Sequence, residues 1–299
     1  MNVVITGSKG FIGKELTRQC EKQGIEVIGV DIVSSKENNY HKVDINSDKI
    51  SEIIPDRCNA LIHLAALSRD KDCKKNVLNC FHVNVMGTLN LMEAAQKKNV
   101  GNFIFASTEW VYDTFTENEV KDEDSLIDFA NHRSEYAISK LVSEVNLRQK
   151  HQQGFCHVTI LRFGIIYGPR KSEWSAVESL FNDVSTKDVV SVGSLRTGRC
   201  FIHVSDIAYG IIKTVTLTGF NVINLQGDRL ITLKEVIEAS KKIVNKNPEV
   251  RELNPDNVSV RNISNKRAKA ALDWKPSYDL EKGLQSLLLG LGFKRTMAE

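Results

Sequence analysis

Proline is scarce, five in 299 residues, and no proline- or glycine-rich stretch interrupts the chain, so nothing reads as a stiff linker between separate domains. Charge of one sign is also lacking. Forty basic and thirty-seven acidic residues leave +3, spread along the chain, which argues against a nucleic-acid partner held electrostatically. The run Leu287-Leu288-Leu289 stops at Gly290, far short of a membrane span. Met1 leads straight into Asn2-Val3-Val4-Ile5-Thr6, with neither a charged leader nor a small-residue cleavage site. The expectation is a cytoplasmic protein, not secreted and without a membrane partner. Cysteines 20, 58, 73, 80, 156 and 200 include no Cys-x-x-Cys pair, which disfavours a zinc site or a redox dithiol. They read as reduced thiols, several of them buried, and no metal is expected.

What is present is an ordinary globular composition, 41% hydrophobic and 26% charged, with length enough for a large core. Short apolar runs at 3–6, 26–30, 60–64, 103–107 and 157–161 alternate with helical spacing. Ile12, Leu16 and Cys20 share one helix face, as do Val77, Phe81, Val85, Leu89 and Met92, and a third helix is expected over 134–151. Such alternation predicts an α/β fold: a doubly wound parallel sheet, Rossmann-like, with helices on both faces. Beyond residue 165 the pattern loosens, with helices expected near 174–185, 205–217, 232–244 and 280–289 and a strand at 222–225. The domain reading is residues 1–165 plus about 200–225 for the dinucleotide, and about 166–199 with 226–299 as a smaller C-terminal substrate-binding lobe.

Thr6-Gly7-Ser8-Lys9-Gly10-Phe11-Ile12-Gly13 joins the first strand to the first helix. Glycines 7, 10 and 13 permit a tight turn, close approach to a pyrophosphate and close helix–strand packing, while the helix N-terminus offers free N–H groups. Asp31 ends the next strand eighteen residues after Gly13, where a carboxylate accepts adenosine ribose hydroxyls and repels a 2′-phosphate. The predicted cofactor is NAD rather than NADP.

Tyr136-Ala137-Ile138-Ser139-Lys140 sets a phenol and an ammonium four apart on one helix face. A nearby ammonium, helped by a positive nicotinamide, favours the phenolate and makes it a base for an alcohol. Tyr167/Lys171, Tyr209/Lys213 and Tyr278/Lys282 share the spacing. Gly168-Pro169 breaks any helix in the first of these, and the other two have no strand-end hydroxyl upstream. Tyr136 alone follows a strand ending in Ser107-Thr108, so Thr108 is the candidate to share a substrate hydroxyl with it.

Together these residues resemble the extended short-chain dehydrogenase/reductase superfamily, in its NAD-dependent epimerase/dehydratase branch that modifies nucleotide sugars. The resemblance spans nearly the whole chain. It rests on the glycine turn, Leu61-Ile62-His63-Leu64-Ala65-Ala66, Asn84-x-x-Gly87-Thr88-x-Asn90-Leu91, and Ser107-Thr108-x-x-Val111-Tyr112. Tyr136-x-x-Ser139-Lys140, Leu161-Arg162-Phe163, Tyr167-Gly168-Pro169-Arg170 and Arg199-x-Phe201-Ile202-His203-Val204-x-Asp206 follow, with Leu272-x-Trp274-x-Pro276 and Gly283-Leu284 near the end. The resemblance implies that Tyr136 is the acid/base, that Lys140 holds the nicotinamide ribose and tunes Tyr136, and that Thr108 bonds the reacting hydroxyl. It implies cofactor contacts from Phe11, Ile12, Ile32, Asp44, Ile45, Leu64, Ala65, Ala66 and Phe163. It places Arg199 on a phosphate of the sugar nucleotide, and pairs such chains into homodimers through the helices near 76–98 and 134–151.

Three positions depart from the pattern. Ile165 stands where many relatives carry Asn, Cys200 where Asp is usual after the arginine, and Glu109-Trp110 follow Thr108 where dehydratases show Thr-Asp-Glu or Thr-Asp-Lys. Glu109 stays open between a second acid/base and a solvated or substrate-orienting carboxylate. Asn84 stays open between an active-site brace and an ordinary helix residue. His63 and His203 read as packed residues, and Lys71, Lys74 and Lys75 as a solvated surface. The function expected is an NAD-dependent nucleotide-sugar epimerase acting through a transient 4-keto intermediate. A 4,6-dehydratase or reductase is the alternative, and a non-catalytic NAD-binding scaffold or redox sensor is the alternative of another class.

Overall fold

The computed structural model describes residues 1–116 and 118–290. Its centre is a seven-stranded parallel sheet of β1 (Asn2–Thr6), β2 (Glu26–Asp31), β3 (Tyr40–Lys42), β4 (Ala60–His63), β5 (Asn102–Thr108), β6 (His157–Phe163) and β7 (Phe220–Leu225). The strand order is β7-β6-β5-β4-β1-β2-β3. The order reverses between β1 and β4, where Val4 lies opposite Leu61 on one side and Ile28 on the other. A crevice opens at that reversal beyond the strands' C-terminal ends, and this is where doubly wound sheets bind ligands.

Alternation along the buried strands feeds two cores, because successive side chains point to opposite faces. Val3, Ile5, Ile62, Ile104 and Ala106 pack on one face with Leu16 of helix α1 (Phe11–Lys22). Val4, Leu61, Phe103 and Phe105 pack on the other, against Leu91 and Ala95 of α2 (Gly87–Lys97) and Leu147 of α3 (Glu135–Gln152). A third core lies outside the sheet. It joins Val177 and Phe181 of α4 (Ala176–Thr186), Val236 and Ile237 of α6 (Leu233–Val244), and Leu284 and Leu287 of α7 (Leu280–Gly290). The remaining long helix, α5 (Val204–Thr214), covers the first core with Ile207 and Ile211.

The architecture is the one expected, with differences in detail. The edge strand β3, Tyr-His-Lys, carries no apolar run and is invisible to periodicity. The helix expected near 76–98 is an α-turn (Val77–Phe81), a π-turn (His82–Met86) and α2 in succession. Three small sheets pair strands two to four residues long across large sequence separations, among them Arg199 opposite Arg261, and such pairs leave no periodic trace. Among the described residues, no helix is long and apolar enough to cross a membrane.

Candidate active site

The crevice at the strand reversal is a cleft of about 730 Å³. Its floor is the glycine turn. Gly7 has φ +72°, and a Cβ there would lie 2.7 Å from the Ala65 nitrogen; a Cβ on Gly13 would lie 2.2 Å from the Gly7 carbonyl oxygen. Both glycines are therefore dictated by space, and the turn presents bare backbone at the start of α1, which has no side-chain cap. Asp31 is fixed beside it. One carboxylate oxygen accepts from the Lys9 N–H at 2.9 Å, the other from the Ile32 N–H at 2.8 Å.

Gly10, Phe11, Ile12, Ile32, Asp44, Ile45, Leu64, Ala65, Ala66 and Phe163 line the same cleft, with Gly7, Gly13 and Asp31. So do Thr108, Tyr136 and Lys140, brought from the end of β5 and the first turns of α3. Two residues singled out from the sequence, Glu109 and Arg199, are not in the lining. Lys9, Ser68, Trp110, Arg170 and Trp174 line the cleft without having been singled out as site residues. Trp110 comes from a 3-10 turn and the others from loops, and only the flanking motifs pointed to their neighbourhood.

Helix α3 starts at Ser134, whose hydroxyl accepts from the Ala137 N–H and donates to Asp70 at 2.6 Å. One turn further in, the Lys140 ammonium is buried 4.7 Å above the Phe105 ring and 5.9 Å from the Tyr136 ring centroid. Burial brings it down from 10.5 to about 8. Burial likewise pushes the Tyr136 phenol above its ordinary 10, with Cys73 adding to the rise and a side-chain hydrogen bond from Thr108 opposing it. The expected preference for phenolate is thus not built into the chain alone; desolvation outweighs the Thr108 hydrogen bond. Of the six tyrosines only Tyr136 lines the cleft. Tyr167 is buried against the Asp279 carbonyl, Tyr278 stacks on His203 at 3.9 Å, and Tyr209 is 38% exposed.

Behind the site, Glu144 of α3 accepts from Arg162 at 2.7 and 3.1 Å and from the Ser107 hydroxyl. Arg162 also donates to the Tyr112 hydroxyl at 2.8 Å. This buried network ties α3 to β5 and β6. His63 is a packed residue, its ring nitrogens 2.9 and 3.0 Å from the Thr6 and Thr88 hydroxyls. His203 is one too, bonded to Ser286 and lowered to about 4 by burial.

A bare backbone cradle, a carboxylate at the neighbouring strand end and a threonine–tyrosine–lysine set lining the crevice are the features of a dinucleotide-binding α/β protein. The family model for the NAD dependent epimerase/dehydratase family matches residues 3–225, and the chain belongs to that family of NAD-dependent enzymes. Similar curated proteins include UDP-glucuronate 4-epimerase of Thermodesulfobacterium geofontis, 26% identical over 94% of this chain and 93% of the relative. UDP-glucuronic acid decarboxylase 1 of Arabidopsis thaliana is 27% identical over 96% of this chain and 69% of its own length. UDP-glucose 4-epimerase of Thermus thermophilus, solved in complex with NAD, shares the fold at a TM-score of 0.84 and 24% identity, over 98% of this chain and 99% of that one. Family membership makes the chain an enzyme rather than a non-catalytic scaffold, with NAD as its cofactor.

Proposed function

We infer that this enzyme is a nucleotide-sugar epimerase that inverts a carbinol centre through a transient 4-keto sugar. The observation that carries the reading is the inventory of ionisable groups beside Thr108. Among the described cleft-lining residues there, Ser107, Trp110, Phe163 and Ile165 hold no charge, and Glu109, next to Thr108 in sequence, is fully buried outside the lining, which leaves Tyr136 and Lys140 as the acid–base pair. Oxidation and re-reduction of one carbon need a single proton acceptor that later returns its proton. Dehydration needs a second acid or base; of the two positions where dehydratases carry one, this chain has Glu109, which is buried outside the cleft lining, and Trp110, which holds no charge.

In this reading Thr108 hydrogen-bonds the reacting hydroxyl and Tyr136 Oη takes its proton as the carbon loses hydride. Bound NAD supplies the hydride acceptor and, once reduced, the donor. Lys140 bonds the nicotinamide ribose and, with its charge, offsets the desolvation that holds the phenol neutral. Gly7, Gly10 and Gly13 admit the pyrophosphate, Asp31 takes the ribose hydroxyls, Asp44 and Ile45 meet adenine, and Phe163 flanks the nicotinamide. Arg199 meets a substrate phosphate. We assign residues 1–165 with about 200–225 to the cofactor domain, and about 166–199 with 226–299 to the substrate lobe, in a cytoplasmic homodimer. The decisive experiment incubates the pure protein and NAD with a panel of nucleotide sugars and reads the products by mass and NMR. Unchanged mass with inverted stereochemistry is expected. Loss of water or carbon dioxide, or net reduction, overturns the reading.

A further inference from the structure

Lys9 lines the cleft within the glycine turn, and its backbone N–H donates to Asp31 at 2.9 Å. The side chain that leaves from this point is only 13% exposed. Its ammonium lies 4.6 Å over the Tyr40 ring of β3 and is ion-paired with Glu37, whose own side chain is 63% exposed. The Tyr40 hydroxyl in turn donates to the Val33 carbonyl. The loop from Asp31 to Tyr40 is therefore closed at two points, Val33 on Tyr40 and Glu37 on Lys9. Burial first, and then the charges of Asp31 and Glu37, push the Tyr40 phenol above its ordinary 10, so both carboxylates act on this corner. A lysine here works against Asp31, because an ammonium attracts a phosphate as a point charge while the carboxylate repels it. Among the described residues the other cations of the cleft lining are Lys140, buried beside Tyr136, and Arg170, paired with Glu178. Lys42 pairs with Asp31 along β3 but is exposed and outside the lining. Charge at the Asp31 corner of the cleft thus turns on whether Lys9 is neutralised, and Glu37 neutralises it.

We propose that Glu37 is a specificity-determining residue of the cofactor site: by engaging Lys9 it withholds a cation from any dinucleotide that carries a 2′-phosphate. The proposal rests on the placement of Asp31 at the adenosine ribose, given above. A 2′-phosphate brings nearly two negative charges at neutral pH, and in the parent chain it meets Asp31 beside a lysine that is already spent. With Glu37 neutral, the Lys9 ammonium keeps its seat over Tyr40 but loses its counter-ion, and the incoming phosphate can replace it. NAD ends at this corner in hydroxyls and gains almost nothing from the same change. The two carboxylates therefore discriminate by different means, Asp31 by contact with the ribose and Glu37 by occupying the lysine. An ion pair with so exposed a partner contributes little to folding, so its removal reads as a change in binding and not as unfolding.

The test measures NAD and NADP affinities of the full chain by calorimetry, in the parent, Glu37→Gln, Lys9→Met and the double variant. Glu37→Gln should tighten NADP by about fivefold to tenfold and leave NAD within about twofold. Lys9→Met in the Glu37→Gln background should abolish that gain, and about 0.5 M salt should shrink it, because screening then acts within a few ångström. Should Glu37→Gln fail to fold, Glu37→Ala removes the same charge. The proposal is overturned by a Glu37→Gln protein that binds NADP no better than the parent, including one whose NADP binding is too weak to register. Equal tightening of both nucleotides, or a gain that survives Lys9→Met, overturns it too. Asp31→Ala, measured alongside, separates this proposal from the reading beneath it. If Asp31→Ala narrows the gap between the nucleotides and Glu37→Gln does not, the ribose assignment stands and the role of Glu37 falls. If only Glu37→Gln moves the gap, the reverse holds.

Discussion

The Asn84 side-chain amide donates to the Ser139 hydroxyl at 2.9 Å, joining a π-turn to α3 one residue before Lys140. The same amide donates to the Leu67 carbonyl at 3.0 Å, and its oxygen accepts from the Leu67 N–H at 2.8 Å. Asn84, buried within the π-turn, thus closes the loop after β4 against α3. Of the two readings left open for this asparagine, the geometry favours the brace. Asn84→Ala strands both Leu67 groups and should lower stability by about 1–3 kcal/mol, read by denaturant melts. Turnover should fall with it. A variant as stable and active as the parent would remove the bracing role.

Tyr136→Phe keeps the ring and deletes the oxygen that sits beside Thr108. Turnover should drop about 10²–10⁴-fold, the usual worth of a positioned acid–base group, with NAD affinity little changed. Tyr209→Phe, at an exposed position with its own helical lysine 5.4 Å from the ring, should stay within about twofold. An active Tyr136 variant beside a dead Tyr209 variant would put the site on the wrong helix.

Asp31 meets the glycine turn through the Lys9 N–H, so its carboxylate is held in the cleft beside that turn. NAD should bind more tightly than NADP, and Asp31→Ala should narrow the difference by about tenfold, roughly 1.4 kcal/mol. Calorimetry with both nucleotides checks this; equal affinities in the unmodified protein contradict it.

Burial raises Glu109 from 4.5 to about 7, with Arg199 and Arg261 pulling the other way. The folded protein therefore binds this proton more tightly than the unfolded chain. The resulting stabilisation is complete below about pH 4.5 and lost as pH rises through about 7. Glu109→Gln has no such proton. The stability of the parent relative to this variant should fall by about 3 kcal/mol, at most, across that window without substrate. A pH-independent difference in melting would show that the carboxyl titrates normally.

Leu78 is 83% exposed, Met86 53% and Val145 47%, all on the helical segments expected to pair two chains. Light scattering at micromolar concentration should give twice the chain mass, and Leu78→Glu should shift it toward one chain. A monomeric parent protein would end the dimer proposal.

The alternating apolar runs, the three glycines, Asp31 and the order of the later motifs determined the doubly wound sheet and most of the cleft, because these are local consequences of backbone space and side-chain period. Even the choice of Tyr136 over three lysine-paired rivals followed from a strand-end hydroxyl twenty-eight residues upstream. Tertiary structure decided the rest. It buried Lys140 over Phe105, which lowers its pKa, and raised the phenol that the sequence pattern alone marks as ready to ionise. It also turned Glu109 away from solvent toward two arginines ninety and more residues distant in the chain, on strands too short to announce themselves. Desolvation and long-range pairing depend on what surrounds a residue in space, and no spacing along the chain encodes them directly.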